Sequence, residues 1–332
     1  MNPASWLRMQ TVLLARHAMA TRFEIVLYGR SQSRLRAAGE AALAEVERIE
    51  AQLSIYHPTS EMARVNACAA RQPVRVSPSV FRLLEQARQL HRESGGAFDI
   101  AIAPLVRCWG FMDGSGSWPD PREVDRVRRQ VGMQHVILDE ENLTVRFDGE
   151  GVMLDLGAIG KGHAIDRAVE TLREAGVASA LLHGGTSTVN GIGKPPEEDA
   201  WKVAIESPSG DGAAPRLLAT VPLRDEALSV SAVWGKCFEH EGKTFGHVLD
   251  PRAGRPVSNA VLAAVVLPSA TESDALSTAL LVAGPEGHEK IAQLRPGMRT
   301  LVVGAGANHY RAHSKGIALK MRESIVKTCG NG

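Results

Sequence analysis

From Leu35 to Leu53 the apolar residues Leu35, Ala38, Ala42, Val46, Ile49 and Leu53 recur every three or four positions, a spacing that puts them on one face of a helix. The stretch before it, Phe23–Tyr28, reads as the initial strand. A second helix is expected from about Ser79 to Arg92, stopped by Gly95 and Gly96, residues suited to a helix end. Asp113 to Pro121, rich in Gly, Ser and Pro, reads as a surface loop. Strand-like pieces follow at His135–Leu138, Leu143–Phe147 and Val152–Leu154. A third helix is expected after the glycine-rich turn that follows Asp155, ending at Gly176. Strands come next at Ser179–His183, Lys202–Ile205, Leu217–Val221 and Val261–Leu267, and a fourth helix runs from near Thr271 to Gly284-Pro285. Strands outnumber helices and often succeed one another directly. The expected fold class is therefore α+β, with mixed, largely antiparallel sheets and helices packed against them. No internal repeat and no long polar linker interrupts 1–332, which is read as a single domain.

Composition narrows the function. The chain has 332 residues, 44% of them hydrophobic, and 38 Lys and Arg stand against 37 Asp and Glu for a net charge of +1. A nucleic-acid binder shows a basic excess or a basic face, so no nucleic-acid partner is expected. Membrane insertion is not expected either, because no apolar run approaches the ~20 residues of a spanning helix. Cys68, Cys108, Cys237 and Cys329 lie far apart with no C-x-x-C pair, and read as reduced thiols rather than a disulfide framework or a zinc site. Val12 to Ala15, between Arg8 and Arg16, is too short for the apolar core of a signal peptide, and no Cys follows it to take a lipid. The expected compartment is cytoplasmic.

Four segments carry candidate chemistry. In the first, Val152 to Asp166, a buried-type strand delivers the carboxylate of Asp155 to a glycine turn that opens onto a helix. Glycines let the backbone approach a ligand, and a helix start offers free N–H groups to an anion. It is not a Walker loop, since Gly157 and Gly160-Lys161 are too close together and Gly162 stands where Ser or Thr should bind metal. A generic strand–turn–helix and a phosphate site both remain open. In the second, Ser269 and Glu272 have capping-box spacing, so a helix starts there. Asp274 and Thr278, four apart, are neighbours on its face. A carboxylate beside a hydroxyl is a hard-oxygen pair suited to Mg2+ on a diphosphate; equally, Asp274 could simply favour the helix N-terminus. In the third, Thr244 to Gly254, Asp250-Pro251 is a turn signal. His247 ends a short strand, where it is either a proton acceptor or a histidine hydrogen-bonded in place. The fourth, Ser94 to Phe111, is either an aromatic core corner or the wall of a pocket for a flat ring.

Taken in order, these segments resemble the ApbE family, the FAD:protein FMN transferases once described as thiamine-biosynthesis lipoproteins. The resemblance runs from Ala18-Met19-Ala20-Thr21 to about Gly284. It passes through Leu53-Ser54-Ile55-Tyr56, Ser60 to Asn66, Gly96-Ala97-Phe98-Asp99 with Pro104-Leu105-Val106 and Trp109-Gly110, and Asp155 to Gly162. It continues through Gly184-Gly185, His247 to Pro251 with Gly254-Arg255-Pro256, and Asp274 to Thr278. The resemblance implies an active cleft between subdomains, which could be two intertwined units. It also implies a Mg2+-dependent enzyme that moves the FMN half of FAD onto a Thr or Ser of an acceptor flavoprotein, releasing AMP. By position, Asp274 and Thr278 would be side-chain metal ligands and Ala158 would give a third oxygen, from its backbone carbonyl. Met19, Tyr56, Ala97, Phe98, Asp99, Asp155 and Lys161 would line the FAD site. His247 is the candidate for deprotonating the acceptor hydroxyl or steadying the transferred phosphate, and it is counted with Asp274 as catalytic and with the FAD-lining set.

The chain departs from the family pattern in three places. Ala20 stands where Gly is usual, Thr186 where Asp follows the paired glycines, and Val230-Ser231-Ala232 where Thr-Ser-Gly is usual. Two other activities stay open: a Mg2+-dependent FAD pyrophosphatase giving FMN and AMP, and a non-catalytic flavin-binding protein. The acceptor motif, roughly Asp-x-Ser/Thr-Gly-Ala-Ser/Thr, is only approached by Asp113-Gly-Ser115-Gly-Ser117, read as loop, and Lys315 to Gly332 carries no recognisable motif.

Overall fold

A computed structural model describes residues 9–207, 216–305, 309–320 and 324–326. Cys329 and half of the unmatched tail lie outside them. The chain opens with the hairpin β1 (Gln10–Ala18) and β2 (Thr21–Gly29), followed by α1 (Gln32–Leu53), α2 (Glu61–Cys68), a short β3 (Val74–Arg75) and α3 (Pro78–Glu93). Next come α4 (Ala103–Cys108), α5 (Pro121–Arg128), β4 (Val136–Asp139), β5 (Thr144–Phe147) and α6 (Gly160–Glu174). The strands β6 (Ala180–Gly184), β7 (Thr188–Ile192), β8 (Trp201–Glu206), β9 (Leu217–Leu223) and β10 (Glu226–Ala232) follow. Two small hairpins, β11 (Cys237–His240) with β12 (Lys243–Gly246) and β13 (Leu249–Asp250) with β14 (Arg255–Pro256), lead to β15 (Ala260–Leu267), α7 (Ala270–Ala292), β16 (Arg299–Ala305), β17 (His309–Lys315) and β18 (Ser324–Val326).

The fold is α+β. A nine-stranded sheet runs β1-β2-β6-β7-β10-β15-β16-β17-β18, and every strand pair among the described residues is antiparallel. The main core gathers the apolar faces of α1, α6 and α7 with one face of this sheet. A second core lies on the other face, where the β8–β9 hairpin lays Trp201, Leu218, Val221 and Leu223 over Leu262, Val266 and Leu301. A third, smaller core joins α4 and α5 to the hairpin region through Leu105, Trp109, Phe111 and Leu249.

The α1 face is buried as its spacing predicts, from Leu35 to Leu53, and Ser31 caps its start by accepting the Arg34 N–H at 3.4 Å. α3 stops where expected, with Gly95 at φ 65° and Gly96 at φ 77°. The fourth helix differs from expectation. Gly284 breaks it with φ 65° and ψ −167°, but helix resumes to Ala292, because Pro285 fits the first turn of a new helical segment, where its missing N–H costs nothing. The loop from Asp113 ends one residue earlier than expected, since Asp120 caps α5 and Pro121 is its first residue. β1 is a strand the apolar pattern does not announce. Val12–Ala15 lies inside it, paired along its length with β2; as a sheet edge it buries only Val12 and Ala18, and leaves Leu13 70% exposed.

Val152–Leu154 is not a strand of any sheet. Val152 and Leu154 are buried, but the segment's ladder partner is a side chain. The Asn66 amide donates to the Leu154 carbonyl at 2.9 Å and accepts the Leu154 N–H at 2.8 Å. The Asp155 N–H then donates to the Ile100 carbonyl at 2.7 Å. Held on both sides, this segment delivers Asp155 to the start of α6.

Candidate active site

The first turns of α6 and α7 touch at backbone distance. A Cβ on Gly162 would lie 2.3 Å from the Ala270 carbonyl oxygen and 2.8 Å from the Asp274 Cβ, so only glycine fits there. Gly162 is the third residue of α6, where backbone N–H groups lack an intrahelical partner. Its N–H donates to Asp274 Oδ2 at 2.9 Å. Two stretches 112 residues apart in sequence thus meet through one carboxylate.

Asp274 is 5% exposed, and burial pushes its carboxyl pKa up, opposed by Lys161, the Gly162 N–H and the Thr188 hydroxyl. Thr278, one turn on, is only half-buried although its neighbours Ser277 and Ala279 are fully buried. Its hydroxyl lies 3.1 Å from Ser231 Oγ, which is 2.8 Å from Ser277 Oγ. Ser229 donates to Thr188 at 3.1 Å. Hydroxyls of β7 and β10 thus line the α7 face that carries the pair.

Around the glycine turn a charged cluster forms. Asp155 Oδ1 accepts the Gly157 N–H at 2.8 Å, and Lys161 Nζ donates to the Gly157 carbonyl at 3.2 Å. Burial raises the Asp155 carboxyl pKa, while the Gly157 N–H and the charges of Lys161 and Lys236 pull it back. His247 feels the same two lysines. Burial lowers its imidazole pKa, and the Lys236 backbone works the other way; the His247 backbone N–H donates to the Lys236 carbonyl at 3.1 Å. A neutral imidazole keeps one of its ring nitrogens as an acceptor. Tyr56 is 63% exposed and its hydroxyl donates to the Met112 carbonyl at 3.3 Å. Partial burial of the phenol end and the charges of Asp155 and Asp113 raise its pKa.

The other expected FAD-lining residues sit differently. Ala97 and Phe98 are buried in the main core, so the Phe98 ring offers no free face. Asp99 Oδ1 caps the short helical turn at Ile100 by accepting the Ala101 N–H at 2.8 Å, and burial holds its carboxyl up at about 6 beside His91. Met19 lies in the β1–β2 turn, its N–H donating to Glu50 Oε1 at 2.7 Å. Ala158 is half-buried in the turn before α6. Asp250 accepts from Arg252 within its turn at 2.9 Å, as the turn signal predicts. Lys236, Asn66, Thr188 and Asp166 were not singled out by spacing, because each meets its partners only through the tertiary fold.

The chemistry of the donors decides which cation fits. No cluster of three or more His, Cys, Asp or Glu gathers among the described residues. A buried carboxylate one turn from a hydroxyl is a hard-oxygen pair, which suits Mg2+ with its retained waters and phosphate oxygens, not zinc. A cavity of about 580 Å³ lies along the C-terminal half of α7, between Ser94, Arg252, Asn259 and Lys290. None of the expected site residues lines it.

A family model described as the ApbE family matches residues 19–302. The chain belongs to the ApbE family. An ApbE relative from Klebsiella pneumoniae, an FAD:protein FMN transferase, is 31% identical over 242 residues, 73% of this chain and 74% of that protein. The FAD:protein FMN transferase of Escherichia coli K12 is 27% identical over 307 residues, 91% and 86% of the two chains. Among solved structures, the ApbE protein of Thermotoga maritima superposes with a TM-score of 0.81 at 26% identity, over 89% of this chain and 94% of that one. The apo flavinyl transferase ApbE of Pseudomonas stutzeri gives 0.78 at 28% identity, over 93% and 95%. No helix among the described residues is long and apolar enough to cross a membrane.

Proposed function

We propose that this ApbE-family chain transfers the FMN half of FAD to a Thr or Ser hydroxyl of an acceptor flavoprotein, with Mg2+ held by Asp274, Thr278 and the Ala158 carbonyl. The observation that carries the reading is the Gly162–Asp274 junction, which puts the one buried carboxylate of α7 against the turn bearing Asp155 and Lys161. The acceptor oxygen bonds to the phosphorus of the FMN half, the bond to the AMP half breaks, and AMP leaves with the bridging oxygen. His247, which burial favours in its neutral form, takes the hydroxyl proton on its unprotonated ring nitrogen. Lys161 and Lys236 supply positive charge to the phosphates. Tyr56, exposed at the edge of the cluster, offers a flat face to a ring. Mg2+, when bound, supplies a charge that draws electron density from the pyrophosphate as its bond breaks.

Incubating the protein with FAD, Mg2+ and an acceptor peptide tests this. Covalent flavin fluorescence on the peptide is the expected result. Free FMN and AMP without peptide labelling would show hydrolysis instead. Asp274→Ala should abolish labelling while the protein stays folded, because Ser269 caps α7 independently by accepting the Glu272 N–H at 3.2 Å.

A further inference from the structure

α6 carries a second carboxylate that the proposed chemistry does not use. Asp166, one turn after Gly162, aims both of its oxygens at the start of α7. Oδ1 accepts the Ala270 N–H at 2.7 Å. Oδ2 accepts the Thr271 N–H at 2.9 Å, the Thr271 hydroxyl at 2.6 Å and the Ser269 hydroxyl at 2.8 Å. The opening N–H groups of a helix need partners and favour negative charge. These N–H groups find both in a residue more than 100 positions earlier, on the neighbouring helix.

Gly162 and Asp166 are four apart and share one face of α6. Gly162 pins α7 at Asp274, and Asp166 pins it at Ala270 and Thr271. Two contacts along one face hold both the separation and the rotation of the first turn of α7 against α6. Asp274 and Thr278 follow Ala270 at one-turn intervals, so the rotation of the first turn decides where their oxygens point.

We propose that Asp166 is a positioning residue: its grip on the first turn of α7 sets Asp274 and Thr278 against the Lys161 turn, and so couples binding of the divalent cation to binding of FAD. The inference rests on the flavin-transfer reading above. A purely electrostatic role, in which the Asp166 charge attracts the cation from a distance, makes a different prediction. Asp166→Glu keeps the charge but, being one methylene longer, cannot keep both oxygens on the same donors.

The test is a Mg2+ titration of FAD binding by FAD fluorescence, without acceptor peptide, alongside thermal melts. Asp166→Asn and Asp166→Glu should each raise the Mg2+ half-saturation point by about tenfold or more, the range for residues that orient metal ligands. Leu172→Ala, in the buried C-terminal part of α6, should lower the melting temperature and leave the Mg2+ titration unchanged. If Asp166→Glu titrates like the wild type, or if Leu172→Ala shifts the titration as much, the inference is overturned. Should both Asp166 variants fail to fold, Thr271→Val removes one hydroxyl donor and keeps the N–H. It should shift the titration in the same direction by less, and an unchanged titration overturns the inference. A wild-type protein whose FAD binding ignores Mg2+ refutes the metal reading itself, an outcome distinct from any failure of the variants.

Discussion

Gly162→Ala tests whether the α6–α7 junction is the heart of the site. The new Cβ would stand 2.3 Å from the Ala270 oxygen, whereas carbon and carbonyl oxygen approach to about 3.3 Å. The two first turns would have to part by about 1 Å. Overpacking of this kind costs about 1–3 kcal/mol. The parting also stretches the 2.9 Å bond from the Gly162 N–H to Asp274, a hydrogen bond to a charged group worth about 1.5–3 kcal/mol. Alanine returns at most about 1 kcal/mol through its better helix propensity. The net loss is about 2–5 kcal/mol, a fall in melting temperature of roughly 3–7 °C for a chain of this size. Activity should fall further than stability, because a misplacement of about 1 Å costs about a hundredfold in rate. Differential scanning calorimetry and peptide flavinylation, both on Gly162→Ala and on Gly149→Ala, give the comparison. Gly149 has nothing within 4 Å of its would-be Cβ and should behave as wild type. A Gly162→Ala protein with unchanged melting and unchanged transfer would refute the junction argument.

Other consequences follow from single positions. Met19 and Ala20 form a two-residue hairpin turn with φ 50° and 57°, the left-handed pair that favours glycine; Ala20→Gly should stabilise the protein by about 1 kcal/mol, read as a raised denaturation midpoint. His247 is held below its ordinary 6.5 by burial, so it stays neutral as pH falls to 6.5 and gains its proton only below that. The transfer rate should therefore be level above about pH 6.5 and fall in acid, and His247→Gln should lose both the rate and the acid limb. His163 is pushed down to about 4, mainly by burial. Both histidines bind protons less readily folded than unfolded, so stability should decline as pH drops from 6.5, through about 4 for His163, and His163→Gln should flatten that slope in acid melts. Asp274→Asn should raise the melting temperature, by about 0.5–2 kcal/mol of stability, while abolishing transfer. A destabilised Asn variant would mean that the carboxylate is structural.

How much was legible depends on where each partner lies. α1 was readable because its partners are internal: the spacing of Leu35, Ala38 and Ala42 defines a face whatever it packs on. The Asp274–Thr278 pair was readable for the same reason, one helical turn apart. β7 was not. Thr-Val-Asn-Gly-Ile looks like a turn, yet all of it is buried. Thr188 is satisfied by Ser229 and Asp274, and Gly191 makes room for the Trp201 ring, 2.7 Å from its would-be Cβ. Val152–Leu154 had a strand's apolar pattern, but nothing in that pattern says that a side-chain amide, 88 residues earlier in the chain, replaces the neighbouring strand. Lys236 and Asp166 were invisible because a single charge has no periodicity. Both act on residues placed beside them only by the closed fold.

The three departures from the family pattern leave the carboxylates and lysines of the charged junction unchanged, and this bears on whether the site is alive. Ala20 strains a turn. Thr186 is exposed between β6 and β7. In Val230-Ser231-Ala232 the side chain that reaches α7 is Ser231, which keeps its hydroxyl between Ser277 and Thr278. What remains is the part that works against folding. A carboxylate that burial drives toward its neutral form destabilises the native state, and an apolar or amide residue of the same size would be favoured there if packing alone mattered. Asp155 and Asp274 are both in that condition, and the positive groups that face them are lysines at the same turn and on the neighbouring loop, not a closed ion pair. Two desolvated carboxylates beside two lysines and a neutral imidazole make a poor structural core. Under the proposed function they form a receptacle for a cation carrying a pyrophosphate, because each charge that is costly in the folded chain would gain its partner on binding.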